Sequence, residues 1–324
     1  MTSRATKARL IAFAGAIAFA GCALAQQDYP ARPIRYILPY APGGSTGFTA
    51  RLVGQRLTEA WGQQVVIDYR AGANTVIGTE AAVRSKPDGY TLVYIGSVLA
   101  ANHTLLKTPY DAIKDLAPIA TIASYENLLG VHPSVPARTL KELIALAKAR
   151  PGELDYATSS HGGSSHLGVE LLNLTAGIKT RQIPYKGGGP ASVAIVSGEV
   201  HFILAVPINI LSHVKNGRLR AIAITGESRI TALPDVPTFT QAGVPNVSMQ
   251  TWHGVAAPAG TPKTIIDRIS AEVGKLAATL DAREKLDAQG FLAYYNNPEQ
   301  TAALLKADIV KFARIIKAAN IKSE

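Results

Sequence analysis

The sequence predicts an α/β protein of about two domains. Three observations lead there. Short β-branched runs alternate with helix-patterned segments along most of the chain, the order that builds sheets with helices on both faces. The strand runs are nearly continuous in apolar residues, as in sheets covered on both sides. A chain of 324 residues is also long enough to bury more than one core.

Taken in order, Ile34 to Tyr40 reads as a strand and Thr46 to Trp61 as a helix. Val65 to Tyr69 is a strand, Val76 to Lys86 a helix and Thr91 to Gly96 a strand. Leu140 to Arg150 is helical, Leu154 to Thr158 extended, Leu167 to Ala176 helical and Arg181 to Lys186 extended. Val200 to Val206 and Leu219 to Thr225 are strands around a helical Ile208 to Lys215. Two long amphipathic helices close the chain, Pro262 to Leu280 and Pro298 to Ala319. Lys306, Lys311, Arg314 and Lys317 on the last one read as a solvated face. No tandem repeat, low-complexity tract or long flexible linker stands out, so short crossovers are expected between the domains.

The N-terminus carries its own signal. Arg4, Lys7 and Arg9 lead an unbroken apolar run from Leu10 to Ala20, and Ala23-Leu24-Ala25 supplies small residues at a cleavage site. That order is a secretory signal ending at residue 25, with the mature chain starting at Gln26. The run is shorter than the roughly 20 residues a membrane span needs. A lipoprotein site at Cys22, preceded by Ala20-Gly21, is the rival, with Phe19 standing where such sites usually carry Leu. Cys22 is the only cysteine, so the mature chain holds no disulfide or thiolate metal site. The whole chain has a net charge of +10; without the leader 30 basic residues face 23 acidic ones. No basic stripe interleaved with aromatics points to nucleic acid. The excess helps steer anions instead.

Two glycine-rich turns could carry chemistry. Pro42-Gly43-Gly44-Ser45-Thr46-Gly47 joins the first strand to the first helix. Glycine lets the backbone approach a ligand closely, and the free N–H groups of a helix start suit a carboxylate or phosphate. Ser159-Ser160-His161-Gly162-Gly163-Ser164-Ser165 repeats the design before the helix at Leu167. Either could instead be an ordinary capping turn. A third turn, Lys186 to Pro190, reads as mainly structural. Gly43-Gly44-Ser45-Thr46-Gly47 also fits the G-x-S-x-G elbow of a serine hydrolase. It follows the first strand of the mature chain, however, with no upstream oxyanion loop and no later Asp and His marked as partners. No H-E-x-x-H, Walker or G-x-G-x-x-G motif is present, so no metal or cofactor is implied.

Short motifs run in order down the chain. They include Pro39-Tyr40-Ala41-Pro42-Gly43-Gly44, Pro87-Asp88-Gly89-Tyr90-Thr91-Leu92 and Pro184-Tyr185-Lys186-Gly187. Leu233-Pro234-Asp235-Val236-Pro237-Thr238, Trp252-His253-Gly254 and Ala257-Pro258-Ala259-Gly260-Thr261-Pro262 follow. Together they resemble the substrate-binding proteins of tripartite tricarboxylate transporters, the Bug receptors. The resemblance implies a two-lobed periplasmic-binding-protein fold of the Venus-flytrap, type II-like kind. It divides the chain into a signal peptide (1–25), one discontinuous lobe (26–125 and 226–324) and a second lobe (126–225). It implies a periplasmic, monomeric, non-enzymatic receptor that captures a small carboxylate and hands it to membrane permease subunits, with no nucleic-acid partner. By matching position the cleft residues are Tyr40, Gly43, Gly44, Ser45, Thr46 and Phe48 from the first turn. Ser97 and Asn102, then Ser159, Ser160, His161, Gly163 and Ser164, and Ala205 at a strand end, complete the set. Relatives often carry Asp where Gly47, Ala194 and Ala205 stand here. Their absence implies a more positive anion site, a less polar wall and a ligand with an apolar or aromatic body.

Overall fold

The computed structural model describes residues 29–322. The expected secretory leader, with Cys22 and the expected cleavage site before Gln26, lies outside the described residues. The first part of the chain forms β1 (Ile34–Leu38), α1 (Ser45–Trp61), β2 (Val65–Tyr69), α2 (Val76–Val83), β3 (Thr91–Ile95), α3 (Ser97–Leu105) and β4 (Leu116–Tyr125). The middle forms β5 (Leu128–Val131), α4 (Leu140–Ala149), β6 (Asp155–Thr158), α5 (Ser164–Ala176) and β7 (Arg181–Pro184). It continues with α6 (Gly188–Ser197), β8 (Phe202–Ala205), α7 (Pro207–Lys215) and β9 (Arg220–Ile224). The chain then returns through β10 (Thr251–Pro258), α8 (Lys263–Ala278), α9 (Leu280–Asp287), β11 (Phe291–Ala293) and α10 (Pro298–Ala318).

Two mixed sheets result. The first has strand order β11-β4-β10-β3-β1-β2 and the second β7-β6-β8-β5-β9. In each, three parallel strands meet antiparallel ones: β10 runs against β3 and β4, and β5 against β8 and β9. Alternate residues of a strand enter cores on opposite faces, as pleating requires. Tyr36 and Leu38 pack on one face of the first sheet and Ile37 on the other. Phe202 and Leu204 pack on one face of the second, Ile203 and Ala205 on the other. Each fully buried Leu or Ile contributes roughly 1.5–3 kcal/mol.

Several elements are absent from the sequence-based reading. Strand β4 contains Pro118 and β10 contains Gly254, residues that weaken a strand pattern. They sit at or beside register shifts in the β10–β4 ladder, where an unpaired group is tolerated. Helix α3 is buried nearly all round, from Val98 to Asn102, so it shows no amphipathic period. The segment from Pro262 to Leu280, expected as one helix, ends at Ala278. Thr279 then caps α9, its hydroxyl accepting from the Ala282 amide at 3.2 Å.

The two crossovers differ in length. The first is short, Glu126–Asn127. The return is long: residues 226–250 form no helix and only an isolated bridge, Ile224 to Thr238. Phe239, Val244 and Val247 from that stretch are buried in the core of the second sheet. The expected return at residue 226 therefore comes too early, because those apolar side chains keep the chain on the second sheet until Met249. The crossing strands are tied together. The Thr225 amide donates to the Asn127 carbonyl (2.9 Å), the Asn127 amide to the Thr225 hydroxyl (2.9 Å), and Asn127 Nδ2 to the Met249 carbonyl (3.3 Å).

Candidate functional site

Strand β1 is flanked by β2 on one side and β3 on the other, so the chain winds in opposite directions from it. Strand β6, between β7 and β8, repeats the arrangement in the second sheet. A crevice opens beyond the carboxyl ends of such strands. Here the two crevices face each other around a cavity of about 40 Å³. At ~10–15 Å³ per water site, that admits about three waters.

Five helices begin at this cavity: α1 through Gly44, Ser45 and Thr46, α3 through Ser97 and Val98, α5 through Gly163, Ser164 and Ser165, α6 through Gly188, and α7 through Val206. None of the five has a side-chain cap or an acidic residue in its first turn. Helices α4, α9 and α10 are capped by Thr139, Thr279 and Asn297 and carry Glu142, Asp281 and Glu299 in their first turns. Helices α2 and α8 also lack caps but start away from the cavity. Each such helix start leaves N–H groups without an intrahelical partner and carries about half a positive charge. Close approach makes this convergence possible. A Cβ on Gly188 would fall on the Asn209 amide, and one on Gly163 would lie 2.5 Å from Ser160 Oγ.

The lining holds no Lys, Arg, Asp or Glu. Its hydroxyls include Ser160 Oγ and Ser165 Oγ, both buried and without a hydrogen-bond partner. A buried unpaired hydroxyl costs about 1–3 kcal/mol, so both are poised for a ligand or water. Tyr40, Tyr94 and Tyr125 form an aromatic side, and burial raises all three phenols, keeping them neutral donors. His253 is pushed down to about 3 by burial and is a neutral imidazole. Its Nδ1 lies 3.0 Å from Thr49 Oγ1, which itself donates to the Thr46 carbonyl. The positive potential therefore comes from backbone alone. Ile203, Leu204, Ala205 and Val206 form the opposite, apolar wall.

The two sides touch at one rim. The Ser45 amide donates to Asn209 Oδ1 (3.1 Å) and the Ala41 amide to the Lys186 carbonyl (3.2 Å). At the other rim, Asn74 Nδ2 donates to the His161 carbonyl (2.8 Å).

Of the residues expected from sequence, Tyr40, Gly44, Ser45, Thr46, Ser97, Ser159, Ser160, Gly163, Ser164 and Ala205 line this cavity. Four do not. Gly43 is exposed on the outer side of its turn, with nothing near its missing Cβ. Phe48 turns into the first core and stacks on Phe291 at 6.0 Å. Asn102 is buried behind the wall, exchanging hydrogen bonds with Asn74. His161 borders a neighbouring cavity, its ring nitrogens near Gln182 Oε1 and the Lys322 carbonyl. Of the three positions without Asp, only Ala205 faces the cavity. A side chain at Gly47 would point at Tyr69 and Arg51, and Ala194 is packed in a core.

Sequence reasoning passed over Tyr94, Tyr125, Asn127, Asn209 and His253. The aromatics and His253 sit on strands, where nothing local distinguishes a cavity residue from a core one. Pro207, in the first helical turn after β8, is the signal that marks α7 and hence Asn209. The turn at Lys186 to Pro190, expected to be structural, brings Gly188 into the lining. Two histidines at and beside the cavity are engaged elsewhere: His253 bonds Thr49 rather than Ser45, and the Nδ1 of His166 is taken by the Gly162 amide.

The sequence model of the family described as tripartite tricarboxylate transporter family receptor matches residues 49–321. Protein BugT of Bordetella pertussis is 37% identical over 320 residues, 97% of this chain and 98% of that one. A solved structure from R. palustris with adipate has a TM-score of 0.89 at 31% identity, covering 92% of this chain and all of that one (100%). MatC from Rhodopseudomonas palustris with bound malate has a TM-score of 0.83 at 28% identity, covering 89% and 100%.

Proposed function

The chain belongs to the tripartite tricarboxylate transporter receptor family and is a solute-binding receptor, not an enzyme, and we propose that its ligand is a small carboxylate with an apolar body. One observation carries this: five uncapped helix starts converge on a cavity with no charged side chain. Such a site favours an anion without an ion pair. Ser160 and Ser165 supply hydroxyls for the carboxylate oxygens, and the β8 wall with Tyr40 and Tyr94 receives the body. An amino acid is disfavoured, because no acidic side chain is there to take its ammonium. The adipate and malate held by the two R. palustris relatives support the ligand class.

The protein is exported to the periplasm by cleavage after Ala25, works as a monomer and delivers its ligand to the permease subunits of a tripartite transporter. The leader sequence and the family support this reading. The lobes are the two sheets with their helices, hinged at Glu126–Asn127 and at Met249, and the ligand draws them together because it contacts both.

A thermal-shift series with mono-, di- and aromatic carboxylates tests the reading. A ligand at ~100 times its Kd adds about 2.7 kcal/mol, worth several degrees in Tm. If amino acids or sugars stabilise the protein and no plain carboxylate does, the proposal fails.

A further inference from the structure

The peptide between His161 and Gly162 is gripped at both ends, from opposite sides of the cleft. Its carbonyl accepts from Asn74 Nδ2 at 2.8 Å, and Asn74 follows β2 of the first sheet. Its amide donates to His166 Nδ1 at 3.0 Å, and His166 stands in the first turn of α5, beside the second sheet. Hydrogen bonds at the two ends of one peptide polarise it and strengthen each other. The same peptide belongs to the turn that carries Ser160, Gly163 and Ser164 into the cavity. Neither Asn74 nor His166 lines that cavity.

Both grips are built in advance. Ala73, Asn74 and Thr75 have φ of 44°, 49° and 76° in succession. Left-handed backbone at such residues persists only where the surroundings enforce it. Asn102 enforces it from behind the wall. Its Oδ1 accepts from Asn74 Nδ2 at 2.8 Å, and its Nδ2 donates to the Asn74 carbonyl at 2.7 Å. One N–H of the Asn74 amide is thus held on Asn102 and the other is aimed across the cleft at His161. On the far side His166 is buried, and desolvation, with His161 beside it, pushes it down to about 3. The imidazole is therefore neutral at pH 7, with the Nδ1 lone pair toward Gly162 and the proton on Nε2, on the side of Glu170. Gly162 has a φ of 69°, and a Cβ on it would collide with Leu105 of α3, so the peptide comes this close only as glycine. The His161 ring adds a second contact to the first side, its Nε2 lying 2.9 Å from the Lys322 carbonyl after α10.

We propose that the His161–Gly162 peptide is a cross-cleft latch, with Asn74 and His166 as positioning residues that hold the Ser160–Ser164 turn in its binding geometry when the cleft is closed. This rests on the receptor reading above and adds to it residues outside the lining that govern release.

Hydrogen exchange at the Gly162 amide, followed by NMR in the ligand-free protein, tests the latch directly. Asn74→Gly keeps the left-handed backbone and removes the side chain. It speeds exchange at Gly162 about 5- to 10-fold, although Asn74 does not touch that amide. His166→Leu speeds it at least as much, and His166→Asn, whose Oδ1 takes the place of Nδ1, restores most of the protection. The double variant Asn74→Gly/His166→Leu is little worse than His166→Leu alone, since both act on one peptide. Titration calorimetry with hexanoate and benzoate gives the same ranking in affinity, again without additivity. Unmoved Gly162 exchange in Asn74→Gly, additive losses in the double variant, or a loss in His166→Asn as deep as in His166→Leu overturns the latch. The exchange measurement needs no ligand, so failure of both acids to bind would count against the carboxylate reading and leave the latch standing.

Discussion

Ala205→Asp tests whether the anion site owes its potential to backbone alone. Ala205 is 5% exposed and lines the cavity opposite the helix starts. The lining holds no cation to pair with a carboxylate placed there, so its negative charge meets a bound anion without an ion pair to offset it. At a separation of ~4–5 Å and an effective dielectric near 20, the repulsion is about 3–4 kcal/mol, a loss of roughly 100- to 1,000-fold in affinity. Ala205→Asn has nearly the same shape without the charge, and its loss stays within about tenfold. Gly47→Asp adds the same charge in the first turn of α1 but beside Arg51 and Tyr69, so its loss is smaller than that of Ala205→Asp. Calorimetry at pH 7 with the tightest monocarboxylate compares the three. Equal affinities for Ala205→Asp and Ala205→Asn would refute the electrostatic account.

Acid sensitivity follows from His166 and His253, both buried and both lowered by desolvation from 6.5 to about 3, His166 with a further push from His161. The unfolded chain protonates first as pH falls below 6.5, so stability drains away between that value and about 3. By pH 5 each histidine has cost about 2 kcal/mol relative to pH 7. Denaturant unfolding of His253→Gln at both pH values will show a smaller drop than wild type by about that amount, and an identical drop would contradict the assignment. Gly188→Ala drives a methyl into the Asn209 amide and breaks its bond to the Ser45 N–H across the cleft. Ligand affinity falls about 5- to 30-fold, as loss of one to two kcal/mol of closure dictates, with Tm of the empty protein little changed; unaltered affinity would show that this contact does not help closure. Small-angle scattering with and without saturating ligand will show a more compact bound form, and superimposable curves would remove the hinge.

Elements with a local period were legible in the sequence, and those without one were not. Helix α1 was read to within one residue because its turn glycines and its apolar face agree. Helix α3 escaped because burial on all sides erases amphipathicity. The two glycine-serine turns were found because a ligand-facing helix start and a tight turn ask for the same small residues. Gly43, Phe48, Asn102 and His161 fall outside the cavity for a different reason. They share those turns or helices with lining residues but point elsewhere, and side-chain direction is not written in spacing. Asn127, Asn209 and His253 come from distant stretches whose meeting is a property of the tertiary fold.

Strand β10 sits between β3 and β4 although the whole second sheet lies between them in sequence, with Gly254 paired to Ile95. Until residue 258 is available, the first sheet has an open slot where its fourth strand belongs, and the cavity lacks His253. Such long-range pairing slows folding, because loop closure precedes its reward. A chain still being made is therefore denied both a finished core and a binding site.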